Sequence, residues 1–110
     1  KSFKPDAIVS IHAPYGVLDF DGPRVPPRRL GFLTLNELGT YPGSLGNYAG
    51  SYLGLPIITL ELPSSDTSPT VAQSGQIWND LLVWLEKNLP DGAAPMFQRL
   101  ADPNWLRGAP

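Results

Sequence analysis

Two titratable side chains in this 110-residue chain stand near the ends of apolar segments. His12, the single histidine, lies near the end of segment 6–13, and Glu61 interrupts the apolar segment 55–62 near its end. In open α/β sheets, ligands bind beyond the carboxyl ends of strands because the loops converge there. An imidazole can bind zinc and a carboxylate can accept a proton from water. The two residues are therefore candidates for one site.

Each of these residues also has a purely structural interpretation. His12 could be a hydrogen-bonded histidine in the core or at its rim, and Glu61 could point outward from an edge strand. An ionised carboxylate inside an apolar run is costly unless it is paired or functional, which favours a role for Glu61. The residues alone leave both interpretations open.

Two apolar segments are expected to position this pair. Segment 6–13 is rich in β-branched residues and flanked by prolines, which predicts a buried strand. Segment 55–62 is almost continuously apolar between Gly54 and Pro63, which predicts a strand covered on both faces. His12 and Glu61 then stand at the ends of two strands.

Helices are expected in the second half of the chain. The main one begins with Ser68 as N-cap and Pro69 at the first helical position, and it ends before Pro90. One face, apolar except at its last position, is traced at helical spacing by Ile77, Leu81, Trp84, Leu85 and Asn88. A shorter helix over 44–53, packed closely on its neighbours through small residues, and another over 96–100 are also expected.

The segments before residue 44 show weaker patterns. Residues 22–29 contain three prolines and predict an irregular loop. Residues 30–38 predict a short apolar turn or helix. Arg24, Arg28 and Arg29 lie in or at the end of the proline-rich loop and are expected to be solvated charges.

Composition excludes several classes of function. The balance of 8 basic and 10 acidic residues leaves no basic surface for nucleic acid, and the absence of cysteine excludes disulfides and thiolate metal sites. No apolar run approaches the roughly 20 residues that span a bilayer. Charged residues make up only 16%, which indicates that part of the surface faces other protein.

Three motifs together resemble a known family. Residues 10–15 (Ser-Ile-His-Ala-Pro-Tyr), 41–48 (Tyr-Pro-Gly-Ser-Leu-Gly-Asn-Tyr) and 59–62 (Thr-Leu-Glu-Leu) look like the last portion of the zinc carboxypeptidase superfamily, which includes the pancreatic enzymes. Residues 18–23 and 38–50 resemble its bacterial branch close to murein peptide amidase A. The motifs occur in the family's order.

The resemblance implies a function and a set of roles. It implies a three-layer α/β/α mixed-sheet fold with Zn²⁺ as cofactor, in which His12 is the third zinc ligand and Glu61 the general base. Tyr41 would close over the substrate, and Asn47 and Tyr48 would line its pocket. The substrate would be a peptide's C-terminal bond or the γ-D-glutamyl-diaminopimelate amide bond of murein.

The chain departs from the family in one respect. The first two zinc ligands of the family lie in an upstream His-x-x-Glu motif, and His12 is the only histidine here. The resemblance thus implies the C-terminal part of a catalytic domain, with a core over 1–91 and a tail over 92–110, which needs the upstream part as a partner. A bacterial origin, periplasmic or cytoplasmic, would follow.

Two other classes of function compete with a zinc enzyme. A serine hydrolase requires Gly-x-Ser-x-Gly on a strand-to-helix turn, and neither Ser44 nor Ser51 has that spacing. A non-catalytic fragment or interaction module, which binds another protein through the apolar faces of its strands, stays open as the alternative.

Overall fold

A computed structural model of the chain describes residues 4–37 and 44–89. The described part is a small mixed α/β fold with a mixed sheet and one long helix. Its five strands are β1 (Ile8–His12), β2 (Val17–Asp21), β3 (Arg29–Leu30), β4 (Leu33–Thr34) and β5 (Ile57–Glu61). A π-helix covers Gly46–Tyr52 and helix α1 covers Val71–Asn88.

The central sheet has the strand order β1-β5-β2. β5 is parallel to β1 and antiparallel to β2. Four of the five β5 residues are buried, because this strand has a neighbour on each side and is packed on both faces. The prediction of a covered strand over 55–62 is therefore confirmed.

Strand β1 forms where a strand was predicted, but the prediction that it is buried is wrong. Within the described residues it pairs only with β5 and is an edge strand. Val9 and Ile11 are exposed, Ile11 to 66% of its surface. The apolar side chains on which the prediction of a buried strand depended are therefore not covered by the described part of the chain.

Strand β2 and the β3–β4 hairpin were not predicted. In β2, apolar Leu18 and Phe20 alternate with Asp19 and Asp21, which is the two-residue period of a strand with one polar face. The turn or helix expected over 30–38 is instead largely the hairpin. Its turn is held to α1 by the amide of Gly31, which donates to the carboxylate of Asp80 at 2.7 Å.

Helix α1 begins later than predicted. Its N-cap is Thr70 rather than Ser68, because Thr70 and Gln73 form a reciprocal capping box that satisfies two backbone amides. Pro69 accordingly lies outside the helix. The predicted apolar face is correct, since Ile77, Leu81 and Trp84 are buried.

The core lies between α1, the hairpin and one face of the central sheet. Trp84 packs edge-on against Phe20 with ring centroids 5.7 Å apart, and its indole N–H donates to the carbonyl of Val25 at 3.1 Å. Burial of each such side chain contributes about 1.5–3 kcal/mol. The buried cluster consists of Leu18, Phe20, Leu30, Leu33, Ile58, Leu60, Ile77, Leu81 and Trp84.

The π-helix confirms the short helix predicted over 44–53. It packs on β2 and β5 through Ala49 and Gly50, both buried, while Tyr48 and Tyr52 are exposed. The small residues make its contact, as expected. The helix predicted over 96–100 and the tail 92–110 lie outside the described residues. Neither helix of the described part could span a bilayer.

Candidate functional site

The face of the central sheet opposite α1 carries most of its polar residues. Strand residues alternate between faces, so the core positions Leu18, Phe20, Ile58 and Leu60 fix which face is which. The opposite face, here called the polar face, contains Ser10, His12, Asp19, Asp21, Thr59 and Glu61. Both residues singled out from the sequence, His12 and Glu61, belong to it.

His12 and Glu61 are direct cross-strand neighbours on β1 and β5. Nδ1 of His12 lies 3.9 Å from Oε1 of Glu61, which is longer than a hydrogen bond. Nε2 of the same ring lies 2.9 Å from the hydroxyl oxygen of Ser10. The imidazole side chain is 57% exposed and the glutamate side chain only 8%. His12 is therefore accessible to solvent, whereas Glu61 is buried.

Glu61 is buried without full hydrogen bonding. The residue is 6% exposed, and its Oε2 atom has no hydrogen-bond partner within the described part of the chain. Leaving a buried polar group unpaired costs about 1–3 kcal/mol, and more when the group is charged. Such an atom calls for an explanation, and a ligand that brings a donor or a positive charge is one.

The connection from β1 to β2 passes over the carboxyl end of β5. The amide of Leu62 donates to the carbonyl of His12 at 2.8 Å, and the amide of Gly16 donates to the carbonyl of Leu62 at 3.3 Å. These bonds fix both strand ends relative to each other. His12 and Glu61 are therefore held by backbone structure and not only by their side chains.

Two acidic residues of β2 also face this side, and sequence reasoning missed them as candidates. Asp19 is 7% exposed, lies opposite Thr59, and accepts a hydrogen bond from the amide of Phe20 at 2.9 Å. The pKa of Asp21 is raised above its ordinary value by burial and by the negative charges of Asp19 and Glu37. The polar–apolar alternation of residues 17–21 was the signal that could have found them.

The π-helix closes the end of the polar face that is farthest from His12. A Cβ atom on Gly50 would lie 2.8 Å from Cβ of Asp21, and one on Gly46 would collide with the Asp21 carboxylate. Only glycine permits this close approach. Asp21 is opposite Ile57, four residues before Glu61, so the π-helix covers the strand ends away from the His12–Glu61 pair.

The remaining predicted site residues are not brought to this pair by any described contact. The backbone N–H of Asn47 donates to the Ser44 hydroxyl at 3.1 Å, and Tyr48 is 58% exposed with its ring stacked on Tyr52 at a centroid distance of 6.1 Å. Their role at a substrate pocket stays a prediction. Tyr41 lies outside the described residues.

Metal ligands are few in the described structure. In residues 4–37 and 44–89, no group of three or more histidine, cysteine, aspartate or glutamate side chains is placed to hold a metal ion. His12 and Glu61 together offer one imidazole and one carboxylate. Arg24, Arg28 and Arg29 are exposed, in agreement with the prediction that they are solvated.

Comparison with known proteins adds no relative. No protein-family model, curated protein or solved structure matches this chain. The likeness to zinc carboxypeptidases therefore depends on the three sequence motifs alone. The geometry of the polar face is the separate ground on which a function can be proposed.

Proposed function

We propose that this chain is part of a zinc-dependent peptidase or amidase of the carboxypeptidase type, with His12 as a zinc ligand and Glu61 as the general base. The observation that carries the proposal is the buried Oε2 atom of Glu61, which has no hydrogen-bond partner within the described residues, while Oε1 of the same carboxylate lies 3.9 Å from the His12 ring. A carboxylate with only a structural role is normally hydrogen-bonded when buried. A general base must keep an oxygen available for the proton that it accepts.

The orientation of the His12 ring supports the ligand role. When Nε2 donates its proton to the Ser10 hydroxyl, Nδ1 keeps a free lone pair on the side of Glu61. Metal-binding histidines commonly donate their other ring N–H to a fixed acceptor, which orients the ring. Nδ1 is therefore the atom that we assign to the metal.

The described residues fit one part of a zinc site and not the whole of it. A catalytic zinc site needs three protein ligands, and this face offers His12 with one carboxylate reserved for catalysis. We propose that the upstream part of the same catalytic domain supplies the other ligands and extends the sheet into a three-layer α/β/α fold. Two observations support this: among the described strands β1 has a neighbour on one side only, and Val9, Ile11 and Trp78 line an apolar groove of about 230 Å³ between β1 and α1.

The chemistry follows from these positions. Zinc, when bound, lowers the pKa of a water molecule and polarises the carbonyl that is attacked. Glu61 then accepts the proton of the attacking water at Oε2 and donates it to the amine that leaves. His12 stays in place throughout, because its strand is hydrogen-bonded to β5 and its ring to Ser10. The bond that is cleaved is a peptide's C-terminal bond or the γ-D-glutamyl-diaminopimelate bond of murein.

A second function is favoured by a different observation. The exposed apolar residues of β1 and the groove beside them would also suit a non-catalytic module that binds another protein. In that case the groove is the functional surface, and the His12–Glu61 pair has no chemical role. Zinc content and hydrolysis separate the two functions.

The test uses protein expressed from the intact native gene, with zinc measured by atomic absorption and hydrolysis measured on both candidate substrates. We expect Glu61→Gln to retain zinc while kcat falls about 10²- to 10⁴-fold, and Glu86→Gln, on the exposed side of α1, to change neither. His12→Ala should lower the zinc content.

Three outcomes would contradict this assignment. Near-normal turnover in Glu61→Gln would remove the general base, and full zinc retention in His12→Ala would remove the ligand. A wild-type protein with neither zinc nor hydrolysis would support the binding module instead.

A further inference from the structure

A groove remote from the candidate site lies between the end of the proline-rich loop and the second half of helix α1. One wall is formed by residues 27–30. The other wall is a stripe on α1 that consists of Asp80, Val83, Trp84 and Lys87, which share one side of the helix because they are three and four residues apart. The groove, here called the cationic groove, has a volume of about 430 Å³. The central sheet separates it from the polar face, because α1 and the hairpin cover the opposite face of that sheet.

Three positive side chains line the cationic groove. Arg28 and Arg29 stand on one wall and Lys87 on the other, and all three are exposed. Within residues 4–37 and 44–89, none of the three side chains forms an ion pair or a hydrogen bond. Guanidinium and ammonium groups without an anionic partner can bind carboxylates that a ligand supplies.

Two hydrogen bonds hold the walls of the groove together. The carboxylate of Asp80 accepts from the amide of Gly31 at 2.7 Å, and the indole N–H of Trp84 donates to the carbonyl of Val25 at 3.1 Å. The second carboxylate oxygen of Asp80 accepts from the side chain of Gln76 at 3.0 Å, so both of its oxygens are engaged. The groove is thus preformed, which lowers the cost of ordering its walls when a ligand binds.

The groove has an apolar part beside these charges. Pro27, Leu30 and Trp84 line it as buried side chains, and Val83 is 51% exposed. Val83 stands four residues before Lys87, so the two are neighbours on the surface of α1. An exposed valine above buried apolar neighbours can still bury surface against a ligand. The groove therefore offers an apolar contact with cations on both sides of it.

We infer that the cationic groove is a docking site for an acidic peptide segment of another protein, in which carboxylates flank an apolar side chain. The guanidinium groups of Arg28 and Arg29 pair with the carboxylates, whose geometry matches their planar fork. The apolar side chain packs on Val83. Nucleic acid is a poorer match, because the chain carries 8 basic and 10 acidic residues and would repel a polyanion that extends beyond the groove. Docking here does not depend on hydrolysis at Glu61.

The test measures the binding of three fluorescein-labelled peptides to protein from the intact native gene, by fluorescence anisotropy. The acidic peptide is Glu-Asp-Leu-Asp-Glu, its amide analogue is Gln-Asn-Leu-Asn-Gln, and a third peptide, Glu-Asp-Ser-Asp-Glu, lacks the apolar side chain; both ends of each are blocked. At about 0.05 M salt we expect the acidic peptide to bind about 10-fold more tightly than the amide analogue. This advantage should shrink at about 0.5 M salt, which screens exposed charge pairs. The serine peptide should bind about threefold more weakly than the leucine peptide.

Arg28→Gln tests the location of the site. It should weaken binding of the acidic peptide about three- to fivefold, and the double variant with Arg29→Gln about 10-fold. The matched control is Arg24→Gln, which removes the same charge from the same loop. Arg24 is exposed but lines a different pocket, with Asp6, so its variant should bind within about 1.5-fold of the wild type.

Several results would overturn this inference. Equal wild-type affinity for the acidic peptide and its amide analogue would do so without any variant, even if Arg28→Gln failed to fold. Equal losses in Arg24→Gln and Arg28→Gln would mean that net charge and not the groove binds the peptide. Tighter binding of a labelled oligonucleotide with the same dependence on Arg28 would assign the groove to nucleic acid. A wild-type dimer in sedimentation that Arg28→Gln dissociates would assign it to a second copy of the chain. Equal affinity for the leucine and serine peptides would overturn the contact with Val83.

Discussion

Nε2 of His12 lies 2.9 Å from the hydroxyl oxygen of Ser10, two residues earlier on the same edge strand. Residues two apart on a strand share a face, so the sequence Ser-x-His itself brings the hydroxyl to the ring. The contact fixes the ring rotation and points Nδ1 towards Glu61. An exposed histidine is thereby held in one orientation without being buried.

Ser10→Ala tests this relationship. Removal of the hydroxyl leaves the His12 ring free to rotate, so zinc must order the ring when it binds. We expect the dissociation constant for zinc to rise about 10- to 100-fold, measured by competition with a chromogenic chelator.

Ser10→Thr is the control for that experiment, because it keeps a hydroxyl at the same position and suits a strand. It should retain most of the zinc affinity. Unchanged affinity in Ser10→Ala would mean that the hydroxyl does not orient the ligand.

A second prediction concerns the close contact between the π-helix and strand β2. In Gly50→Ala the new methyl group would meet Cβ of Asp21 at 2.8 Å and the backbone of Gly22 at 3.2 Å, so helix or strand must shift. Overpacking of this kind costs about 1–3 kcal/mol. We expect the free energy of unfolding in urea to fall by that amount.

Gly75→Ala provides the matched comparison. A Cβ atom at Gly75 meets nothing within 4 Å, and the residue lies inside helix α1. Alanine there should raise the free energy of unfolding by about 0.5–1 kcal/mol. If the two substitutions changed stability equally, the close contact at Gly50 would not be a constraint on the fold.

The features predicted correctly from the sequence are those with local signals. The apolar run that contains Ile57 and Ile58 predicts a covered strand, and the spacing of Ile77, Leu81 and Trp84 predicts the buried face of a helix. The pairing of His12 with Glu61 was expected from the ends of two strands, and the two residues are cross-strand neighbours.

The features that were missed depend on neighbours distant in sequence. Val9 and Ile11 have the composition of a buried strand, and their exposure depends on which strands pair with β1. The alternation of residues 17–21 could have indicated a strand, but the position of Asp19 on the polar face depends on the pairing of β2 with β5, opposite Thr59. By contrast, the start of α1 was missed although its signal is local: Thr70 and Ser68 are both good N-caps, but Gln73, three residues after Thr70, completes the capping box with Thr70.

The last prediction concerns pH and Asp21. Its pKa in the folded state is raised above the ordinary value of 3.8, first by burial and then by the charges of Asp19 and Glu37. The folded protein thus holds the Asp21 proton more tightly than the unfolded chain does. This contribution to stability is fully present below pH 3.8 and is lost as the pH rises through the folded-state pKa.

Asp21→Asn should therefore be more stable than the wild type at pH 7, and the difference should shrink as the pH falls towards 3.8. Urea unfolding of both proteins across this pH range measures the difference in their free energies of unfolding. The control for the loss of one negative charge is Asp66→Asn, at an exposed aspartate. A difference that is constant with pH would mean that burial and like charges do not act on Asp21. If Asp66→Asn showed the same trend, the effect would belong to net charge and not to the closed end of the polar face.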